Sequence, residues 1–94
     1  MAGVTFPKRL PVEPFARWLN EYARVTCLEP ADLAFSLRLV PRRVQSYRYR
    51  SQEWVAFDVV DRALTNSSRI VVLDGVPVFG LEDLYPMLSV EDAA

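Results

Sequence analysis

The stretch LAFSLRLVPRRVQSYRYR, residues 33–50, begins as an apolar helical pattern, is interrupted at Pro41 and continues with basic residues. Five arginines and no acidic residue lie between Arg38 and Arg50, although the chain of 94 residues has a formal net charge of −1. Such a cluster is typical of a surface that meets a polyanion, and it is equally typical of a solvated basic face. The charge by itself leaves both interpretations open.

The rest of the chain carries the opposite charge. Residues 1–50 contain nine basic and four acidic residues, a formal charge of +5, whereas residues 51–94 contain two basic and eight acidic residues, a charge of −6. Hydrophobic residues make up 51% of the chain, which is enough to build the core of one small domain. The asymmetry favours a polyanion partner for the first half of the chain.

The residue types exclude several classes of site. The chain has no histidine and a single cysteine, Cys27, so Ser-His and Cys-His pairs, zinc spacings and an internal disulfide are ruled out. We expect no enzymatic activity, no cofactor, no metal site and no small-molecule ligand. No apolar run approaches the roughly 20 residues of a membrane span, and the first residues lack a signal-peptide pattern. We therefore expect a cytoplasmic protein that does not bind membranes.

Hydrophobic spacing predicts a mainly α fold. In the first helix, Phe15, Trp18, Leu19 and Tyr22 form one apolar stripe at helical spacing. The predicted helices cover residues 14–24, 30–39, 41–49 and 58–65. Asp58 is expected to cap the fourth helix. The segment SQEWVAF before that helix is compatible with an extended connector or a short strand.

The segment RIVVLDGVPVFG, residues 69–80, predicts a β-hairpin around Asp74 and Gly75. Pro77 indicates an edge strand whose missing N–H points outward. Three roles remain open for the hairpin: a structural ribbon on the domain, an edge between Ile70 and Phe79 that forms a homodimer, or a wing at the DNA backbone, which its acidic flanks disfavour.

The predicted organisation has three parts. Residues 1–10 form a flexible arm, and residues 11–66 form a three- or four-helix domain. Residues 67–94 contribute the hairpin, a short helical segment at LEDLYPML and a frayed acidic tail, either packed on the same domain or used for self-association.

The third helix, residues 41–49, divides into a buried and an outward side on a helical wheel. Val44 marks the buried side, which Val40 and Tyr47 share. The outward side carries Arg42, Gln45, Ser46 and Tyr49, where arginine and glutamine can bond guanine and adenine edges, and flanking arginines can hold phosphates. The residues expected to contact DNA are Arg38, Arg42, Arg43, Gln45, Ser46, Arg48, Tyr49 and Arg50. Among them, Arg48 is expected beside the buried edge, with its stem along the core.

Helix 2, a tight turn and helix 3 have the spacing of a helix-turn-helix, in which Ala34 would let Val44 approach closely. The sequence LAFSLRLVPRRVQSY resembles the pattern LAxxLGVxxxxVxxW of small bacterial and phage regulators. The wider pattern RWLNE…LAFSLRLVPRRVQSYR…VDRALTN…LEDLYP is similar to small DNA-binding proteins of actinobacterial phages and prophages, which are Cro-like, repressor-like or excise-type. The family usually has glycine at the position of Arg38, so the turn before helix 3 needs a costlier backbone conformation or a different shape.

The resemblance implies a sequence-specific double-stranded DNA-binding protein that regulates phage or prophage transcription in the bacterial cytoplasm, at the nucleoid. Helix 3 would lie in the major groove, and a dimer would bind paired half-sites. An excisionase-type recombination directionality factor is an alternative with the same DNA chemistry. A protein–protein interaction module that inhibits or recruits a host protein is an alternative of another class.

Overall fold

The structure, a computed structural model, describes residues 9–86. It is mainly helical, with five helices and two small antiparallel sheets among these residues. The elements in chain order are β1 Arg9–Pro11, α1 Val12–Thr26, α2 Pro30–Ser36, α3 Pro41–Arg48, β2 Trp54–Ala56, α4 Phe57–Asn66, β3 Val71–Leu73, β4 Val76–Val78 and α5 Leu81–Leu84. The predicted mainly α composition is confirmed.

Helix α1 is the centre of the domain. It begins two residues before the predicted start, with Pro14 in its first turn, where backbone N–H groups have no partner within the helix. The predicted apolar stripe is fully buried, and its rings stack: Trp18 lies 5.0 Å from Tyr22 and 6.1 Å from Phe15 between ring centroids. Helices α3 and α5 and both sheets pack around this stripe.

Helices α2 and α3 both begin at proline, as predicted, because proline suits the first helical turn. Helix α2 ends at Ser36, three residues before the predicted end, and residues 37–40 connect it to α3. Helix α4 extends one residue beyond the prediction at each end. The prediction that Asp58 caps α4 is wrong: Ala56 occupies the cap position, and Asp58 lies in the first turn, where its charge still suits the helix dipole.

The ambiguous segment before α4 forms a strand. Its partner is β1, and Leu10 pairs with Val55 in an antiparallel register. This pairing corrects the predicted arm, because Arg9 and Leu10 belong to a strand and Leu10 is buried in the core. Residues 1–8, the rest of the predicted arm, lie outside the described residues, as do residues 87–94 with the predicted tail.

The predicted hairpin is confirmed. Strands β3 and β4 pair around Asp74 and Gly75, whose φ angles of 53° and 80° are those of a two-residue turn with both central residues at positive φ. Val71 and Val78, which pair across the strands, are buried in the same core as α1. The hairpin therefore packs on the domain, which was one of its predicted roles.

Helix α5 and the residue after it close the core. The Tyr85 hydroxyl donates a hydrogen bond of 2.6 Å to the carbonyl of Pro11, and burial raises the pKa of Tyr85 above its ordinary value. This bond joins the last described segment to the start of α1. Within residues 9–86, no helix is both long enough and apolar enough to cross a membrane.

Candidate nucleic-acid interface

Helix α3 is seated on α1 and α2 by its apolar side. Val44 and Tyr47 are buried, as the wheel predicts, and the ring of Tyr47 lies 5.7 Å from that of Phe15 in α1. Ala34, the predicted small residue of α2, is also fully buried, and α2 packs directly against α3. The outer side of α3 is thereby fixed in direction by residues on two other helices.

The end of α3 is tied to α1 by a reciprocal pair of hydrogen bonds. The Arg48 side chain donates from Nε to Oδ1 of Asn20 over 2.9 Å, and Asn20 Nδ2 donates to the Arg48 carbonyl over 3.3 Å. Arg48 was predicted among the DNA contacts, beside the buried edge of the helix. Its Nε–H is engaged within the protein, and this bond holds the end of α3 against α1.

The other four predicted arginines have a different environment. Arg38, Arg42, Arg43 and Arg50 are exposed, and their guanidinium groups make no ion pair or hydrogen bond with any group of residues 9–86. The ion pairs within residues 9–86 lie outside residues 38–50. Arg17 bonds Asp74 at 2.7 Å, and Arg24 bonds Glu21 on α1. The carboxylate of Asp74 raises the pKa of Arg17, and Arg24 lowers the pKa of Glu21.

Two residues of the predicted outward face are partly occupied by the protein. Gln45 is half-buried, and its Oε1 atom is enclosed with no hydrogen-bond partner in the described part of the chain. A bidentate bond to adenine needs both ends of the amide, so Gln45 must rotate outward before it can make one. The Ser46 hydroxyl donates to the Arg42 carbonyl over 3.3 Å. The prediction that Gln45 projects freely into solvent is wrong.

Val40 and Tyr49, which lie at the two ends of α3, are both exposed. Tyr49 is 71% exposed, as predicted, and the Arg48 guanidinium lies 5.9 Å from the centre of its ring. Val40 was predicted on the buried side, yet it is 58% exposed. Its backbone is extended, at φ −78° and ψ 126°, because it precedes Pro41, so the helical angle assigned to it does not apply.

Both arginines that flank α3 have left-handed backbone conformations. The φ angle is 61° at Arg38, which follows α2, and 55° at Arg50, which follows α3. Arg38 therefore takes the costlier of the two arrangements expected for the turn before α3. A non-glycine residue in this region costs about 1 kcal/mol, so the chain places charged side chains where glycine would be more stable. The sequence indicated an unusual backbone conformation at Arg38 but gave no sign of the one at Arg50.

The structure adds residues that sequence reasoning did not assign to the interface. Phe35 of α2 is 83% exposed and lines a shallow depression with Arg38 and Leu39. Arg50 lines a second open groove with α1 residues that include Asn20 and Arg24. A phenylalanine opposite the apolar stripe of α2 was visible in the sequence as an exposed position, but its proximity to Arg38 depends on the turn geometry.

This surface presents arginine guanidinium groups, which carry positive charge and donate hydrogen bonds, and the exposed rings of Phe35 and Tyr49. Among residues 9–86 there is no group of three or more Cys, Asp or Glu residues arranged to hold a metal ion. Comparison with protein-family models, with curated proteins and with solved structures finds no match to this chain. The site must therefore be interpreted from its own geometry.

Proposed function

We propose that this protein binds double-stranded DNA in a sequence-specific way and regulates transcription in a phage or prophage, in the cytoplasm of the bacterial host. In this proposal α2, residues 37–40 and α3 form a helix-turn-helix whose second helix enters the major groove. One observation carries it: four exposed guanidinium groups without a partner in the described chain gather over residues 38–50, a stretch that contains no carboxylate. The resemblance to phage regulators supports the same interpretation.

The side chains divide into two roles. Arg42 and Tyr49 project from the outer side of α3, where Arg42 can bond guanine and Tyr49 can contact a sugar or a thymine methyl group. Arg38, Arg43 and Arg50 lie at the flanks, where they can hold phosphates and fix the orientation of the protein on the duplex. Gln45 becomes a base contact only after its side chain rotates outward, because its Oε1 is enclosed.

The salt dependence of binding to DNA tests this proposal. The logarithm of affinity falls with the logarithm of salt concentration by about 0.9 for each phosphate contact, so three flanking arginines predict a slope near −3. The double variant Arg42→Ala/Arg43→Ala should bind weakly, with a slope shallower by about 0.9, because Arg43 supplies one phosphate contact and Arg42 contacts a base. Fluorescence anisotropy with labelled genomic fragments, or with an oligonucleotide selected from a random pool, gives both quantities.

The chain offers a matched control for charge alone. Arg62 and Arg69 are also exposed, and neither forms an ion pair within the described range, but they lie outside residues 38–50. Arg62→Ala/Arg69→Ala removes the same charge and should retain most of the affinity. Equal losses in the two double variants, or equally poor binding by wild type and Arg42→Ala/Arg43→Ala, would contradict the proposal.

A protein–protein interaction module is a second candidate, and one observation favours it. Phe35 and Val40 are both more than half exposed, and they lie near the connector that precedes α3. Apolar groups at the surface often mark binding sites for proteins. In that case Phe35→Ala would abolish capture of the partner, while the salt titration would show no DNA affinity to lose.

A further inference from the structure

An open groove lies between α1, the hairpin and the residue that follows the last turn of α3. Arg17, Glu21 and Arg24 line it from α1, because residues three or four positions apart share one helical face. Arg50 after α3 and Asp74 at the hairpin turn line it from the other two elements. We call this depression the α1 groove. Charged side chains from three separate parts of the chain therefore meet around it.

The charges of the α1 groove do not balance. Three guanidinium groups and two carboxylates give it a formal charge of +1. Arg17 bonds Asp74 at 2.7 Å and Arg24 bonds Glu21, so each carboxylate is paired with one arginine. The guanidinium group of Arg50 makes no ion pair or hydrogen bond with any group of residues 9–86. The α1 groove therefore carries one cation that the described part of the chain leaves unneutralised.

The two ion pairs of the α1 groove differ in what they hold together. Arg17 and Asp74 are 57 residues apart and join α1 to the hairpin. Arg24 and Glu21 lie three residues apart on the same helix, and the Arg24 side chain is 70% exposed. An exposed pair of this kind contributes little to stability, because water screens the two charges. Arg24 can therefore exchange the Glu21 carboxylate for a phosphate group without disturbing the packing of the domain.

The position of Arg50 connects the α1 groove with α3. The eight residues of α3 span about 12 Å, which is about the width of the major groove, so residues just beyond the helix ends lie near the bordering phosphates. The hydrogen bonds between Asn20 and Arg48 hold this end of α3 against α1. A DNA strand that reaches Arg50 therefore also meets the face of α1 that carries Arg24.

We propose that the α1 groove binds the sugar–phosphate backbone of one DNA strand, with Arg50 holding one phosphate and Arg24 holding another. Arg24 leaves Glu21 in this complex, while Arg17 stays with Asp74. The inference rests on the proposed function and deepens it, because it adds a face of α1 to the DNA-binding surface. Glu21 competes with DNA for Arg24, so its carboxylate limits the affinity of the protein for the duplex.

The sign of one substitution separates this role from a purely structural one. Glu21→Gln removes the competing carboxylate and should tighten binding to DNA about three- to fivefold at low salt. Loss of a structural ion pair would instead leave the affinity unchanged or lower it. Glu82→Gln is the matched control, since Glu82 is exposed in α5, lies outside the α1 groove and forms no ion pair in residues 9–86. It removes the same charge and should change the affinity much less.

The salt dependence of binding counts the phosphate contacts. Arg24→Ala and Arg50→Ala should each make the slope of log affinity against log salt concentration shallower by about 0.9. Arg24→Lys keeps the positive charge and should restore the slope of the wild type. Circular dichroism shows whether each variant has folded, and Glu21→Gln decides if Arg24→Ala has not.

Fluorescence anisotropy with one selected duplex compares these variants with Arg42→Ala/Arg43→Ala. The expected result is a shallower slope in Arg24→Ala together with tighter binding by Glu21→Gln than by Glu82→Gln. An unchanged slope in Arg24→Ala, or equal affinities of the two glutamine variants, would overturn the inference, while weak binding by Arg42→Ala/Arg43→Ala would still support the proposed function. A wild type without affinity for DNA would contradict the proposed function and the inference with it.

Discussion

The basic segment and the hairpin segment of this domain present different surfaces to solvent. Residues 38–50 expose four arginines whose guanidinium groups have no partner among residues 9–86, and residues 69–83 expose an apolar face bordered by carboxylates. Both segments are held by α1, the first through Tyr47 and the second through Val71. The contrast shows that one small core can hold two segments whose outward faces differ in chemistry, because α1 contacts both through their buried residues.

The largest expected effect comes from breaking this shared support. Trp18 is 1% exposed and stacks between Phe15 and Tyr22. Trp18→Ala should lower the free energy of unfolding by about 4 kcal/mol, from lost burial and the cavity that remains. Urea unfolding followed by circular dichroism measures it. Trp54→Ala, at a tryptophan 46% exposed, is the control and should lose much less. Equal losses would mean that α1 is not the centre of stability.

A smaller effect is expected where α3 is tied to α1. Asn20→Ala removes both hydrogen bonds between Asn20 and Arg48, which should lower the free energy of unfolding by about 2 kcal/mol. Affinity for DNA should fall as well, since the end of α3 loses its anchor. Asn20→Asp keeps an acceptor for Arg48 Nε and should restore part of both quantities. If the alanine variant binds DNA as tightly as wild type, Arg48 does not position α3.

The bond from Tyr85 to Pro11 predicts how stability depends on alkaline pH. Burial raises the pKa of Tyr85 in the folded protein above its unfolded value near 10, so the folded state favours the protonated phenol. Stability from this group is fully present below pH 10 and is lost as the pH rises towards the folded pKa. Tyr85→Phe should cost about 1 kcal/mol at neutral pH and make the loss above pH 10 less steep. Urea midpoints at pH 8 to 11 give both results. Parallel pH curves for the two proteins would show that Tyr85 is not the group responsible.

The smallest effect concerns the left-handed residue before α3. Arg38→Gly should raise the free energy of unfolding by about 0.5–1 kcal/mol, because glycine adopts φ 61° at lower cost. It should also weaken DNA binding by removing one phosphate contact. Arg38→Ala removes the same charge without relieving the backbone. The two variants should therefore bind DNA equally and differ in thermal stability, and equal stabilities would show that the conformation at Arg38 carries no cost.

Local patterns in the sequence predicted much of the fold. The apolar stripe of α1, the prolines that begin α2 and α3, and the turn at Asp74 and Gly75 are all determined by neighbouring residues. The pairing of β1 with β2 could not be predicted in the same way. Each strand has three residues, and more than 40 residues separate them, so no local signal indicates their contact.

The candidate site was predicted less completely, because the prediction treated α3 as an isolated helix. Val40 was treated as helical although the following proline makes it extended. Gln45 lies about a quarter turn from Val44 on the wheel, on the flank rather than the outer face, and there its amide oxygen is enclosed. The role of Arg48 depends on Asn20, which is distant in sequence. A wheel describes one helix and contains no information about what packs beside it.

Discrimination between DNA sequences by Arg42 tests the central claim most directly. Arg42→Lys keeps the positive charge of α3 but replaces a planar fork with a single ammonium group. We predict that the salt slope stays unchanged, while the ratio of affinities for a selected oligonucleotide over its scrambled form falls about tenfold. If the ratio of affinities for the selected over the scrambled oligonucleotide is the same in Arg42→Lys and wild type, the claim that the outer side of α3 reads base sequence is contradicted.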